Sequence, residues 1–282
     1  MEISIRGLTE ADVAGADDVL RSAFSASDSY TAEIRRCLAL QAEGWLVAIA
    51  QGLPVGMVGA VDYGPFAWVG LMGVHAEAQR RGVGSALMQR LLARLDARGT
   101  PMALLDATEA GARLYRRFGF VEDDQTYKFE HPGYRRSACQ PAGVRLMQPE
   151  DVPAVIAFDT PIFGANRARL LRALLAEFPG RAFLIEDETG QVGGYLFAQT
   201  RRLGPWVAER PQEAELLLQV ALSLPYEGAP SVVVPGMNMA AIEQVERLGF
   251  QLVGPHRHMR RGGIGSPRRR DAIYGQASFA LG

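Results

Sequence analysis

Residues 67–98 read AWVGLMGVHAEAQRRGVGSALMQRLLARLDAR. The segment from Trp68 to Val74 is apolar and rich in β-forming residues, which predicts a buried strand. The segment from Ser85 to Arg98 carries apolar residues at helical spacing, which predicts a helix with one apolar face. A glycine-rich turn joins the two. This arrangement directs free backbone N–H groups at the start of the helix toward one point, where an anion such as a phosphate can bind.

The turn itself is the hexapeptide Gln79-Arg80-Arg81-Gly82-Val83-Gly84. Its glycines let a phosphate approach the backbone without a Cβ in the way, and its two arginines add positive charge. It matches neither the dinucleotide-binding fingerprint nor the P-loop, because the spacing differs and the P-loop lysine is missing. For the hexapeptide on its own, a tight turn without a ligand remains the simpler interpretation.

A second segment, residues 112–120, reads ARLYRRFGF. Leu114 and Phe118 are four residues apart and share a helix face, and Gly119 occupies a position at which helices end. Tyr115 lies in the last full turn of this predicted helix. An aromatic residue there either packs half-buried against the sheet or contributes its hydroxyl to a site, and its position alone leaves both interpretations open.

Together the two segments resemble the GNAT acetyltransferase superfamily. The hexapeptide matches the family's Q/R-x-x-G-x-G/A signature, and Leu114 to Phe120 resembles its later Leu-Tyr-x-x-x-Gly-Phe element. The resemblance implies that the hexapeptide binds the pyrophosphate of acetyl-CoA and that Tyr115 is the acid that protonates the departing CoA thiolate. One departure is Thr108, because the family often has asparagine seven residues before this tyrosine. The implied cofactor contacts are Met72, Gly73, Val74, Gln79, Arg80, Arg81, Gly82, Val83, Gly84, Ser85 and Thr108.

The chain contains the same pattern twice. Ile5-Arg6 is echoed by Val144-Arg145, and Arg117-Phe118-Gly119-Phe120 by Arg247-Leu248-Gly249-Phe250, about 130–140 residues later. We therefore predict an α/β protein of two tandem GNAT-like domains, residues 1–132 and 143–282, each a mixed, mostly antiparallel sheet flanked by helices. A linker is expected around residues 131–143.

The second half lacks the residues that carry the chemistry. It has Leu203 to Pro211 where the hexapeptide should recur and Val245 in place of the tyrosine, although Asn238 occupies the family's asparagine position. A proline removes a donor and Glu209 adds negative charge, which weakens a phosphate site. We expect an active first domain and a degenerate second one, whose tail from Ile273 to Gly282 resembles the closing strand of an extra domain in some bacterial relatives.

The resemblance implies direct acetyl transfer from acetyl-CoA to a primary amine of a small molecule or a peptide. The strand that ends at Val74 is expected to splay from its neighbour, so that the Val74 N–H polarises the thioester carbonyl. The sequence does not decide which group is the general base. The candidates are a water chain to solvent and the side chains of Asp62, His75, Glu77 and Asp106.

A CoA- or metabolite-binding sensor with the same fold and no turnover is the alternative function. The pairing of the hexapeptide with Tyr115 favours the enzyme, since a sensor needs no acid. The identity of the acceptor and the oligomeric state, a homodimer included, are left open by the sequence.

Composition limits the other classes of function. The 282 residues include 30 basic and 31 acidic side chains, and this balance argues against a nucleic-acid partner. No apolar run approaches the roughly 18–20 residues that cross a bilayer, and the start of the chain does not resemble a secretory signal. A cytoplasmic protein without a membrane partner is therefore expected. The two cysteines, Cys37 and Cys139, provide neither a disulfide framework nor a four-cysteine zinc cluster.

Two further clusters are interpreted as surface features. Arg268-Arg269-Arg270 is expected to be an exposed loop, because Asp271 stands beside it. His256 and His258 are alternate positions of one strand without a third ligand, and they are expected to be surface residues rather than a metal pair. No metal is predicted.

Overall fold

The computed structural model describes residues 2–135, 141–265 and 267–282, so that Cys139 and part of the expected linker lie outside the described residues. The first half contains β1 (Ser4–Gly7), α1 (Val13–Phe24), α2 (Thr31–Leu40), β2 (Trp45–Ala50), β3 (Leu53–Asp62), β4 (Ala67–Val74), α3 (Val83–Ala97), β5 (Ala103–Ala107), α4 (Glu109–Arg116) and β6 (Val121–Glu130). The second half contains β7 (Val144–Leu146), α5 (Val152–Phe163), α6 (Ala168–Glu177), β8 (Ala182–Glu186), β9 (Val192–Ala198), β10 (Arg202–Ala208), α7 (Pro211–Ala221), β11 (Ser231–Pro235), α8 (Met239–Arg247), β12 (Gln251–Arg261) and β13 (Ile273–Gly275). The element order of the two halves is the same, as the repeats predict, and β13 is additional.

All these strands join in one sheet, in which the two halves exchange their last strands. The order is β1-β2-β3-β4-β5-β12-β6-β11-β10-β9-β8-β7, with β13 beside β10. Strand β12 of the second half pairs with β5 of the first, and β6 of the first half pairs with β11 of the second. The two exchanged strands also pair with each other. The mixed, mostly antiparallel fold is confirmed, but the sequence did not predict that each half is completed by the other.

The packing of the helices also crosses between the halves. Helices α1, α2, α5 and α6 supply Leu20, Ile34, Val155 and Leu171 to a single apolar cluster. Helix α3 packs in a separate cluster of the first half, and α7 in a corresponding cluster of the second. One side of the sheet is thus covered by helices that share a common core. No helix in the described part of the chain is both long enough and apolar enough to span a membrane.

The segment after β12 returns to the centre of the molecule instead of forming a surface loop. Arg268 and Arg270 are only 6% and 2% exposed. Arg270 Nε donates to Asp124 Oδ2 at 2.8 Å, and the guanidinium of Arg268 lies 4.7 Å from the ring centroid of Trp68. The expectation of an exposed arginine loop is therefore wrong for these two residues and holds only for Arg269, which pairs with Glu209 at the surface.

Truncation of Met259 tests whether the exchanged strand stabilises the first half. The Met259 side chain is fully buried among first-half residues, whereas Leu252 on the same strand is 51% exposed. We expect Met259→Ala to lower the free energy of unfolding by about 2–5 kcal/mol and Leu252→Ala by less than about 0.5 kcal/mol. Urea unfolding followed by tryptophan fluorescence measures both. Equal effects of the two variants would contradict the exchange.

Candidate active site

The site is built on a gap between two parallel strands. Strands β4 and β5 pair only at Ala67 with Ala103 and at Trp68 with Leu104. Beyond Trp68 the two strands diverge. Within the described residues no strand lies between them, so the backbone groups that face the gap do not pair with a neighbouring strand. The splay expected at the strand that ends at Val74 is confirmed.

A bulge in β4 accompanies this divergence. Gly59 of β3 pairs with Gly70 and Met57 with Gly73, so that Leu71 and Met72 together stand opposite a single residue of β3. Leu71 has a φ of 49°, which lies in the left-handed region. A residue other than glycine in this conformation costs on the order of 1–3 kcal/mol. Such a bulge turns the strand and re-aims its backbone groups, and bulges are over-represented beside active sites.

The register also orients the backbone of Val74 toward the gap. His75 N donates to Val55 O of β3 at 3.0 Å, and in an antiparallel ladder the preceding residue then points its N–H and C=O away from β3. The side chain of Gln79 donates from Nε2 to Val74 O at 3.1 Å, so this carbonyl is already engaged by the loop and the Val74 N–H is left free. The Val74 N–H consequently faces the space between β4 and β5.

The loop between β4 and α3 presents a row of free donors. No backbone N–H from Arg80 to Ser85 donates to an acceptor within the described residues. Gly82 has a φ of 84° and occupies the N-cap position of α3, a conformation in which a glycine is needed. The side chains of Arg80 and Arg81 are exposed beside these donors. Free N–H groups, a helix start and two arginines together can bind an anion such as a phosphate.

Helix α4 borders the same gap. A Cβ added at Gly84 would lie 3.1 Å from Met72 Cε and 3.4 Å from Leu114 Cδ2, so the start of α3, strand β4 and α4 meet at this glycine. Thr108 caps α4, with its Oγ1 accepting from Gly111 N at 3.2 Å. The structure thus brings the predicted cofactor residues of β4, the loop and Thr108 together around one opening.

Tyr115 is largely buried on α4. The residue is 7% exposed, and its ring lies 5.8 Å from the ring of Phe120, centroid to centroid. Burial raises the pKa of the Tyr115 hydroxyl, which therefore stays protonated at neutral pH. No described residue forms a hydrogen bond with this hydroxyl, so its proton is available to a ligand.

The four candidates for the general base occupy different environments. Asp62 lies at the opposite end of β3 and β4 from Val74, where it accepts from Thr100 Oγ1 at 2.9 Å. His75 and Glu77 stand at the outer edge of the loop, with Glu77 N donating to His75 Nδ1 at 3.4 Å. Asp62 is therefore too remote from Val74 to act there.

Asp106, the fourth candidate, is fixed in a buried network. Its carboxylate accepts from Thr126 Oγ1 at 2.8 Å and from Gln276 Nε2 at 2.6 Å, and Oδ1 lies 2.8 Å from His258 Nδ1. Burial raises the pKa of Asp106, but His258 and the other partners outweigh burial and hold it well below its usual range. A carboxylate so engaged is a weak base. The expectation of a surface position is wrong for His258, whose side chain is fully buried.

His256 and His258 do not form part of a metal centre with other ligands in the described residues, where no group of three candidate metal ligands lies together. His258 contacts Asp106, whereas the ring of His256 lies 4.3 Å from the ring of Phe279.

The second half repeats the gap, but the chain itself occupies it. Strands β10 and β11 pair in parallel only at Arg202 with Ser231 and at Leu203 with Val232, which reproduces the pairing of β4 and β5. Strand β13 then lies between them: it pairs with β10, and Gln276 N donates to Val233 O of β11 at 2.8 Å. The tail that resembles a closing strand thus fills the place in which a cofactor arm would lie.

Asn238 is one of the residues that hold β13 in the gap of the second half. The asparagine caps α8, where its Oδ1 accepts from Ala241 N at 2.9 Å, and its Nδ2 donates to Ile273 O of β13 at 3.0 Å. The residue at the family's asparagine position is therefore engaged by the chain's own backbone.

The start of α7 is closed in a similar way. Glu213 accepts from Arg210 N at 3.3 Å and is 6% exposed, so that a buried carboxylate stands where the first half has free N–H groups. A negative charge at this position repels a phosphate. Val245, which replaces the tyrosine, is fully buried and has no proton to give.

The comparisons with known proteins agree with this geometry. Residues 4–122 match a family model described as an acetyltransferase (GNAT) domain, and residues 155–275 match a second model with the same description. The chain belongs to the GNAT acetyltransferase family. It has two such domains in tandem. Membership of this family indicates that the protein is an acyltransferase.

Three similar proteins illustrate the relationship. Holothin acyltransferase from Pseudoalteromonas sp. (strain SANK 73390) is 24% identical over 224 residues, which cover 78% of this chain and 75% of that protein. A presumed acetyltransferase from Pyrococcus horikoshii is 29% identical with a TM-score of 0.87, covering 99% of this chain and 96% of that chain. A tandem GNAT protein from the clavulanic acid biosynthesis pathway has 17% identity and a TM-score of 0.65, covering 94% of this chain and all 100% of that chain.

Replacement of Asp106 tests the buried network. Asp106→Asn keeps the size of the side chain but replaces the charged acceptor of the bonds from Thr126, Gln276 and His258 with a neutral amide, and we expect a loss of about 1–3 kcal/mol in the free energy of unfolding. The pKa of Asp106 is lowered in the folded state, so its contribution is complete above the pKa of the unfolded chain and is lost as pH falls below roughly 4. Unfolding measured between pH 3 and pH 7 should therefore show a weaker pH dependence in the variant than in the wild type.

Proposed function

We propose that this chain transfers an acetyl group from acetyl-CoA to a primary amine in the gap between β4 and β5 of its first domain. The observation that carries the proposal is the row of free backbone N–H groups from Arg80 to Ser85 at the open end of two diverging strands. When bound, acetyl-CoA supplies an acetyl group activated as a thioester.

The residues present fit this group. The free N–H groups and the charges of Arg80 and Arg81 hold the diphosphate. Met72 and Val74 line the gap on one side, and Val74 offers its unpaired N–H to an extended amide-containing arm, as a neighbouring strand would. The backbone of Gly73, between them, faces Met57 of β3. Ser85 and Thr108 complete the opening between α3 and α4, whereas Val83 contributes only its free N–H, because its side chain is buried in the first-half core.

Two groups of the chain act on the reacting atoms. The Val74 N–H donates to the carbonyl oxygen of the thioester and stabilises the negative charge that develops there. The amine nitrogen forms a bond with the acetyl carbon, the carbon–sulfur bond breaks, and the amine proton leaves to a base or to water. Tyr115, which remains protonated because of its burial, donates its proton toward the departing thiolate.

The second domain is proposed to be inactive toward acetyl-CoA. Strand β13 occupies its gap, Glu213 closes the start of its helix, and Val245 replaces the tyrosine. These three features each replace one part of the site that we propose for the first domain.

We propose that the acceptor is a primary amine of a small molecule or a peptide. We also propose that the protein is cytoplasmic. The name of the Pseudoalteromonas relative, an acyltransferase of a named small compound, supports a small-molecule acceptor. A sensor without turnover is the competing function, and the presence of a protonated Tyr115 on the helix that borders the gap favours catalysis.

Calorimetric titration with acetyl-CoA tests the unequal domains. We expect one equivalent per chain, and we expect Gly84→Glu to abolish binding, since its side chain would meet Met72 and place a negative charge at the diphosphate position. Gly133→Glu serves as the control, because a Cβ at Gly133 meets no atom within 4 Å. Two equivalents, or binding that survives Gly84→Glu, would rule out the proposal.

Removal of the tyrosine hydroxyl separates catalysis from binding. Tyr115→Phe should lower kcat by about 10²–10⁴-fold while the acetyl-CoA dissociation constant stays close to that of the wild type. Release of CoA in the presence of amines, followed with a thiol reagent, measures turnover. An unchanged kcat would remove Tyr115 from the mechanism, and absence of turnover in the wild type with intact binding would favour the sensor.

A further inference from the structure

The C-terminal segment reaches the narrow end of the proposed gap. Trp68, the last residue of β4 that pairs with β5, donates from Nε1 to Phe279 O at 3.0 Å. A Cβ at Gly70 would lie 2.5 Å from the Cα of Ala280, so the close approach of this segment to β4 depends on that glycine. Residues 279 and 280 therefore lie directly over the part of β4 that precedes the bulge.

The segment is held firmly in this place. Strand β13 anchors it between β10 and β11, and Gln276 bonds to Asp106 of β5. Beyond this, Tyr63 Oη donates to Leu281 O at 2.9 Å and Arg167 Nη1 to Gly282 O at 3.2 Å. These bonds fix the backbone on both sides of Phe279.

Phe279 is the one side chain of residues 272–282 that is not buried. Its ring lies 4.3 Å from that of His256, at an interplanar angle of 40°. Arg257 pairs with Ala107, so His256 stands one residue further, level with Thr108 at the wide end of the gap. The aromatic pair thus borders the gap on its β5 side, and both of its residues come from the second domain.

The ring of His256 adds a polar edge to this surface. Its Nδ1 is buried and has no hydrogen-bond partner among the described residues. Burial lowers the pKa of His256, so the ring is neutral at neutral pH and can contact an apolar group without stripping water from a charge.

A second aromatic pair lies on the β4 side. Phe24, at the end of α1, is 44% exposed, and its ring lies 6.1 Å from that of Tyr30. Tyr30 packs against the same apolar cluster as Leu71 of the bulge. Aromatic surfaces from both domains therefore flank the bulged part of β4.

We propose that Phe279 and His256 of the second domain form one wall of the acceptor site of the first, and that the acceptor is a primary amine carried on a flat aromatic group. This inference rests on the proposed function, because it assigns the acceptor of that same gap. An aromatic ring stacked on Phe279 would present its amine toward the bulge of β4, between the narrow end of the gap at Trp68 and the Val74 N–H at its wide end.

Steady-state kinetics with four amines test the inference: phenethylamine and tryptamine as aromatic probes, n-butylamine and putrescine as aliphatic ones. For the wild type we expect kcat/KM to be about tenfold higher for the aromatic pair. Phe279→Ala should reduce this ratio by about 3–10-fold through KM of the amine, with KM of acetyl-CoA unchanged. Phe279→Leu keeps most of the volume without the ring, and should also lose the preference. Val253→Ala, on an exposed residue of β12, is the matched control.

The outcomes distinguish this inference from the proposed function. Equal kcat/KM for aromatic and aliphatic amines, no CoA release with the aromatic probes, or an unchanged ratio in both Phe279 variants would overturn the acceptor wall while acetyl-CoA binding still stands. A thermal scan shows whether Phe279→Ala is folded. If it is not, the ratio of kcat/KM for aromatic and aliphatic amines in Phe279→Leu alone tests the acceptor wall. Failure of the wild type to bind acetyl-CoA would instead overturn the proposed function.

Discussion

The arrangement of the whole chain depends on the hydrogen bonds that the buried carboxylate of Asp106 accepts. A buried carboxylate is costly unless charged or polar partners replace its water. Its three partners come from three other segments: His258 from β12, Thr126 from β6 and Gln276 from the tail. Because each segment must be in place for the charge to be satisfied, the network favours the exchanged pairing of strands over two separately closed sheets.

The same network connects the two domains at the level of the site. Gln276 bonds Asp106 directly after β13, and β13 itself lies in the gap of the second domain. The second domain thus has the same divergence of strands as the first and fills it with its own backbone. The first domain keeps the gap open, and its loop from Arg80 to Ser85 retains the free donors that the second has closed with Glu213.

Much of the first domain could be predicted from its residues. The strand, glycine turn and helix of residues 67–98 are defined by local periodicity, and local turn geometry largely determines where the free N–H groups point. The splay after Trp68 and the position of Thr108 at the start of α4 agree with the motif. Local pattern was sufficient because these features involve residues close in sequence.

The features that the sequence did not reveal are long-range. Strands β6 and β12 have the same local pattern whether they pair within their own half or exchange, so periodicity cannot distinguish the two arrangements. Arg268 and Arg270 were expected at the surface because Asp271 stands beside them, whereas their partners Trp68 and Asp124 belong to the other half. One signal was present: residues 272–282, AIYGQASFALG, contain no charged side chain, which is typical of a buried segment.

The exchange of β6 and β12 has a consequence for how such a protein can evolve. Each half supplies a strand that the other half requires, so neither can be deleted without exposing the edge of the remaining sheet. Under the function proposed above, the second half is free to lack the cofactor chemistry but not to be absent. Selection on a duplicated gene usually ends in loss or in a new activity of the spare copy. Interlocked strands allow a third result, in which the spare copy persists as a permanent part of its twin.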